Sequence, residues 1–135
     1  MKNTGIWLDK EKALIVTIVN NTEHLNRISS NIEDFRPHGG SGTRFKGGPQ
    51  DVVQDSKFLE REKHQIKTYF KNIAEEIKNT DALVIFGPAE TNERFAKELQ
   101  ENYSTLSTKV KGVKKADSMT NNQVISLVRE FFKAN

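Results

Sequence analysis

Asp81-Ala82-Leu83-Val84-Ile85-Phe86-Gly87-Pro88 is a continuous apolar run closed by Gly-Pro, the pattern of a strand buried on both faces. A strand of this kind needs a layer of helix on each side, so the reading that follows is α/β. Downstream, Asn92 to Asn102 places Phe95, Ala96 and Leu99 together as one face of a helix that Thr91 or Asn92 would cap. Val110 to Ala116 reads as a further strand, basic at its exposed positions through Lys109, Lys111, Lys114 and Lys115. Thr120-Asn121-Asn122-Gln123 has the spacing of a capping box and opens a last helix that buries Val124, Leu127, Val128 and Phe131. Strand, helix, strand, helix with right-handed crossovers makes those two strands parallel.

Upstream, Gly5 to Asp9 reads as a short strand and Lys10-Glu11-Lys12 as a polar turn. Ala13 to Val19, apolar and β-branched except at Thr17, reads as a central strand in a hairpin with the first. After the turn at Asn20-Asn21-Thr22, Glu23 to Ile32 alternates imperfectly, as an edge strand does. From Asp51, the residues Val52, Leu59, Ile66, Phe70, Ile73 and Ile77 recur at helical spacing, and the stretch Lys57 to Lys67 is heavily charged. The expected fold is a mixed five-stranded α/β sheet, a three-strand meander followed by two parallel crossover strands, flanked by helices. Trp7, the single tryptophan, is expected in the core.

Between meander and long helix lies Arg36-Pro37-His38-Gly39-Gly40-Ser41-Gly42-Thr43-Arg44-Phe45-Lys46-Gly47-Gly48-Pro49-Gln50. Its glycines permit positive φ and close approach of a partner, and Arg36, Arg44 and Lys46 supply fixed positive charge. Such a segment suits a phosphate-rich partner or serves as a glycine-rich linker. Phe35 and Phe45 flank the glycines and either anchor the loop or stack on a base.

The 135 residues carry 21 Lys and Arg against 18 Asp and Glu, for a net charge of +3 and a pI near 9.1, which permits RNA contact without demanding it. The length fits one domain, 1–135. Absence of cysteine excludes disulfides, zinc-thiolate sites and thiol nucleophiles. No apolar run reaches membrane-spanning length and the first residues lead into a strand, so the expected location is the cytoplasm.

Other chemistries fit poorly. A Walker loop requires a terminal Gly-Lys-Ser/Thr and a dinucleotide fingerprint requires glycines straight after a strand; Gly39 begins about seven residues beyond the third strand and neither ending is present. Ser41 beside His38 suggests a nucleophile and base without an orienting acid. His24, His38 and His64 lack ligand spacing, so neither a metal nor another cofactor is expected. Strand-end carboxylates, Asp9 with Asp81 or Asp117, read better as turn and cap residues.

The order of elements, the Gly-Gly loop, Phe58-Leu59-Glu60-Arg61-Glu62-Lys63-His64 and Leu83-Val84-Ile85-Phe86-Gly87-Pro88-Ala89-Glu90 together resemble the middle domain of the eukaryotic and archaeal class I peptide chain release factor and its Pelota-like relatives. Phe86 to Glu90 and Asp117 to Gln123 are similar to small bacterial members of that lineage. The resemblance covers nearly the whole chain and implies a ribonuclease H-like sheet of the translational-machinery-component type. It also implies a ribosome or tRNA partner, with no DNA and no membrane, while leaving oligomeric state open. In the release factors a Gly-Gly-Gln tip positions water against the ester of peptidyl-tRNA. Here the first pair continues as Gly39-Gly40-Ser41 and the second as Gly47-Gly48-Pro49-Gln50, which makes Gln50 the counterpart by register. The intervening proline fixes φ and removes a donor, altering the backbone such a tip needs.

Three functions follow. The first is RNA binding through Arg36, His38, Gly39, Gly40, Arg44, Lys46, Gly47 and Gly48, extended along the helix by Lys57, Arg61 and Lys63. The second is peptidyl-tRNA hydrolysis with Gln50 or Ser41 positioning water. The third is a protein-interaction module that keeps the fold without the chemistry.

Overall fold

The computed structural model describes residues 2–30, 49–88 and 90–134, with side chains described from residue 60 onward in the first long helix. The strands are β1 (Lys2–Leu8), β2 (Lys12–Val19), β3 (Thr22–Ser29), β4 (Ala82–Gly87) and β5 (Val110–Lys115). The helices are α1 (Pro49–Ile77), α2 (Thr91–Asn102), α3 (Ser104–Ser107) and α4 (Asn121–Ala134). One sheet in the order β3-β2-β1-β4-β5 joins all five strands, with β1 to β3 an antiparallel meander and β1, β4 and β5 mutually parallel. The expected mixed sheet is therefore present, with β3 on one edge.

Local chemistry sets the meander register. Asn20 and Asn21 both adopt positive φ, 52° and 64°, and Val19 pairs directly with Thr22. That is the two-residue type I′ hairpin, whose twist matches the strands it joins and which asparagine tolerates. At the other end of the hairpin, Asp9 Oδ1 accepts from the N–H groups of Glu11 at 2.8 Å and Lys12 at 2.9 Å, so Asp9 is a turn residue, as expected of it.

Strand pleating divides the core into two layers. Ile6, Leu8, Ala13, Ile15, Leu83 and Ile85 point to the face covered by Ile66, Phe70, Ile73 and Ile77 of α1 and by Phe95 and Leu99 of α2. Trp7, Leu14, Val16, Val84 and Phe86 point to the other, where Val124 and Val128 of α4 cover them. Every residue of β4 is buried, as a strand covered on both faces must be. The α1–β4 connection is pinned by Thr80, buried, whose hydroxyl lies 2.8 Å from that of Thr4 and 2.9 Å from the Ala82 carbonyl.

Helix boundaries differ from expectation in three places. α1 begins at Pro49, so Pro49 and Gln50 are helical rather than the last two residues of a loop. Proline suits the first helical position because its fixed φ is already right and its missing N–H has no intrahelical partner there. Neither Thr91 nor Asn92 occupies the cap position of α2, although Asn92 Oδ1 accepts from the first-turn N–H of Glu93 at 2.9 Å. Glu90 occupies the cap position at φ 40°, without a side-chain cap bond, while buried Asn92 donates to the Lys114 carbonyl at 3.0 Å and ties α2 to β5. α3, a single turn that buries Leu106, has no counterpart in the sequence reading.

The capping box of α4 forms as expected. Thr120 N–H donates to Gln123 Oε1 at 2.8 Å, and Gln123 N–H donates to Thr120 Oγ1 at 3.2 Å. Thr120→Ala is expected to cost about 1 kcal/mol in a urea titration. A midpoint equal to wild type would mean that the box contributes nothing to the docking of α4.

Candidate nucleic-acid interface

The site begins where the chain leaves β3. Lys12 pairs with Ser29 and Ala13 with Leu8, so the end of β3, the β1–β2 turn and the carboxyl end of β1 share one end of the sheet. α1 braces that end. Tyr69, buried beneath the turn, donates its hydroxyl to the Asp9 carbonyl at 2.9 Å, and Lys10 Nζ approaches Glu62 at 3.5 Å. Burial, with the Asp9 carboxylate adding to it, pushes the Tyr69 hydroxyl far above its ordinary range, so it remains a donor at every physiological pH.

With Tyr69 and Glu62 both level with this turn, the preceding turns of α1 run past the sheet. A helix of 29 residues extends about 44 Å, whereas the seven residues of β1 span about 23 Å. The chain thus leaves β3 at the end of the sheet over which α1 projects. Arg36, His38, Gly39, Gly40, Ser41, Arg44, Lys46, Gly47 and Gly48, with Phe35 and Phe45, lie outside the described residues.

The remaining expected site residues sit on α1. Gln50 is in its first turn, and Lys57 follows two turns later. Arg61 and Lys63 are exposed. At 100° per residue Lys57 and Arg61 share a side of the helix, whereas Lys63 lies roughly 200° round from Arg61, so the three do not form one stripe. Lys63, Lys67 and Lys71, all exposed at steps of four, do. That second stripe was legible as a spacing, although the sequence reading grouped lysines by proximity along the chain.

The strand-end carboxylates Asp9 and Asp81 are not brought together. β1 and β4 are parallel, with Asn3 opposite Ala82 and Trp7 opposite Phe86, so Asp9 and Asp81 stand at opposite ends of the sheet. Asp81 accepts from Lys2 N–H at 2.7 Å, a role in the turn before β4. Among the described residues no group of three His, Asp or Glu side chains is placed to hold a metal ion. His24 and His64 are exposed on β3 and α1 respectively. At the far edge of the sheet the exposed lysines of β5 form a further cationic element, noted in the sequence but given no role there.

Two solved structures share this architecture over 98% of the chain, Pelota from Archaeoglobus fulgidus and the archaeal translation termination factor aRF1. This is the fold of a Pelota and release-factor domain. The TM-score is 0.55 in both cases, at 10% identity to Pelota and 9% to aRF1. The chain spans 36% of the length of the Pelota structure and 40% of that of aRF1. No protein-family model matches the sequence, and no curated protein does. No helix among the described residues is long and apolar enough to cross a membrane.

Proposed function

We propose that residues 1–135 act as one release-factor-like unit in the cytoplasm, binding rRNA or tRNA on the ribosome through the basic glycine-rich segment before α1. The observation that carries this reading is the fold shared with a translation termination factor along nearly the whole chain. The sequence supports it by placing Arg36, His38, Arg44 and Lys46 among five glycines at the point where that fold delivers its β3–α1 connection. The cationic side chains contact phosphates, Gly39, Gly40, Gly47 and Gly48 allow close approach, and Lys57 and Arg61, on one side of α1, extend the contact along the helix, while Lys63 lies on the opposite side.

Hydrolysis is not part of this proposal. Gln50 stands behind Pro49 in the first turn of a helix, where the backbone is regular, whereas a water-positioning tip requires a backbone that glycine alone adopts. Ser41 has no orienting acid identified in the sequence.

The test is co-sedimentation with ribosomes across a salt series. Wild type is expected to pellet at low salt and to be released steeply as salt rises, while Arg36→Ala/Arg44→Ala/Lys46→Ala loses on the order of tenfold or more in affinity. Equal pelleting of the two proteins, or none by either, would overturn the reading in favour of a protein-interaction module.

A further inference from the structure

The stretch Lys109 to Lys115 carries four lysines in seven residues and no carboxylate. Its strand, β5, pairs with β4 alone and forms the edge of the sheet opposite β3. Lys111, Lys114 and Lys115 are exposed and Lys109 is half-buried. Among the described residues, none of the four makes an ion pair.

The lysines surround the edge. The register shifts between Leu83 and Val84, leaving Lys111 as the extra residue of a bulge. Lys114 lies on the α4 face, its Nζ 5.7 Å from the centre of the Phe131 ring. Lys115 shares the other face with Val113, which is 39% exposed. A bulge with one lysine is enough to stop a sheet edge from pairing with another chain, so edge protection does not require four. Their mutual repulsion has no acidic partner within the strand, and a polyanion laid along the edge removes it.

We propose that β5 is a second phosphate-contact surface and that it binds the sugar-phosphate backbone of RNA. The nucleic acid is identified by the function proposed above; the surface itself stands on the geometry of β5. An acidic peptide added as a further strand fits less well, because the bulge interrupts the regular row of backbone groups that strand addition uses. Phosphates need only the ammonium groups. Six strand residues extend about 20 Å, a length along which an RNA strand presents several successive phosphates. Gly87 pairs with Lys115 and Trp7 with Phe86, so Lys115 stands at the same end of the sheet as the exit from β3. Four strand spacings, about 19 Å, separate the two edges, a span that one RNA stem bridges.

The probe is a fluorescein-labelled RNA hairpin of about 20 base pairs, with anisotropy read from about 50 to 200 mM KCl. Lys111→Gln/Lys114→Gln/Lys115→Gln is expected to flatten the slope of log affinity against log salt by roughly 2 to 3 and to weaken binding at least tenfold at the lowest salt. Replacing the same three lysines with arginine is expected to leave both quantities as in wild type. A glutamine variant that matches wild type in slope and affinity overturns the proposal. So does an arginine variant that loses as much, or a polyglutamate probe bound more tightly than the hairpin, which would point to an acidic protein partner. Loss in the β5 variant with none in Arg36→Ala/Arg44→Ala/Lys46→Ala upholds this surface and removes the loop. The reverse pattern upholds the loop and removes this surface. Circular dichroism and the thermal midpoint verify folding; if the triple variant is shifted, Lys115→Gln alone replaces it, with an expected slope change of about 0.9.

Discussion

Trp7→Ala is expected to cost about 3–5 kcal/mol, a large share of the roughly 5–15 kcal/mol that holds a domain of this size together. Trp7 is 1% exposed on the strand with a neighbour on each side, in one packed cluster with Leu14, Val84, Phe86 and Val124. The indole also ties a distant part of the chain. Its Nε1 donates to the Ala116 carbonyl at 3.0 Å, holding the connection from β5 into α4 against the centre of the sheet. Trp7→Phe keeps most of the ring volume but leaves that carbonyl without its donor, for a smaller loss of about 1–2 kcal/mol. Urea unfolding followed by circular dichroism measures both, since the substitutions remove the only tryptophan. A loss below about 1 kcal/mol for Trp7→Ala would show that the site relaxes and that the α4 layer is not packed as described.

What the sequence disclosed depended on whether the signal was local. Ala82 to Gly87 could be read as doubly buried because six apolar residues leave no face for water, and the capping box at Thr120 is self-contained in four residues. α2 illustrates the opposite case. Thr91 and Asn92 are both good capping residues, but the helix already begins at Thr91 and leaves the cap position to Glu90 at positive φ, while Asn92 lies inside the first turn, its Nδ2 bonded to the Lys114 carbonyl and its Oδ1 accepting from the Glu93 N–H. α3 was illegible because Ser-Thr-Leu-Ser offers one apolar side chain and hence no periodicity. Pro49 was ambiguous, since proline after Gly-Gly reads as a turn until the helix behind it is known to start there. The β5 lysines could be read as exposed but not as an edge, because edge or centre is decided by strand order, which no single strand encodes.

Gly5→Ala is the second substitution with a large expected effect, and its partner can be named. A Cβ at position 5 would lie 2.3 Å from Val128 Cγ2, 2.5 Å from Cγ1 and 2.9 Å from Cβ. Rotating the valine removes one methyl at most and leaves the Cβ in place, so α4 itself must lift from the sheet. Overpacking of this kind costs about 1–3 kcal/mol and sometimes more, against which the entropy that alanine removes from the unfolded chain returns less than about 1 kcal/mol. Val128→Ala alone is expected to cost about 2 kcal/mol through lost burial and the space left behind. Together the two should cost less than their sum by about 1–2 kcal/mol, because the methyls that the new Cβ strikes are gone. Gly87→Ala is the control that no such trimming rescues: its Cβ would meet the backbone carbonyl of Leu8 at 2.5 Å, and it should add to Val128→Ala without coupling. Coupling at position 5 also bears on the β5 surface, since a lifted α4 withdraws Phe131 from beneath Lys114. Strict additivity of Gly5→Ala with Val128→Ala would mean that α4 does not rest on β1 at that point, and the two-layer core would have to be redrawn.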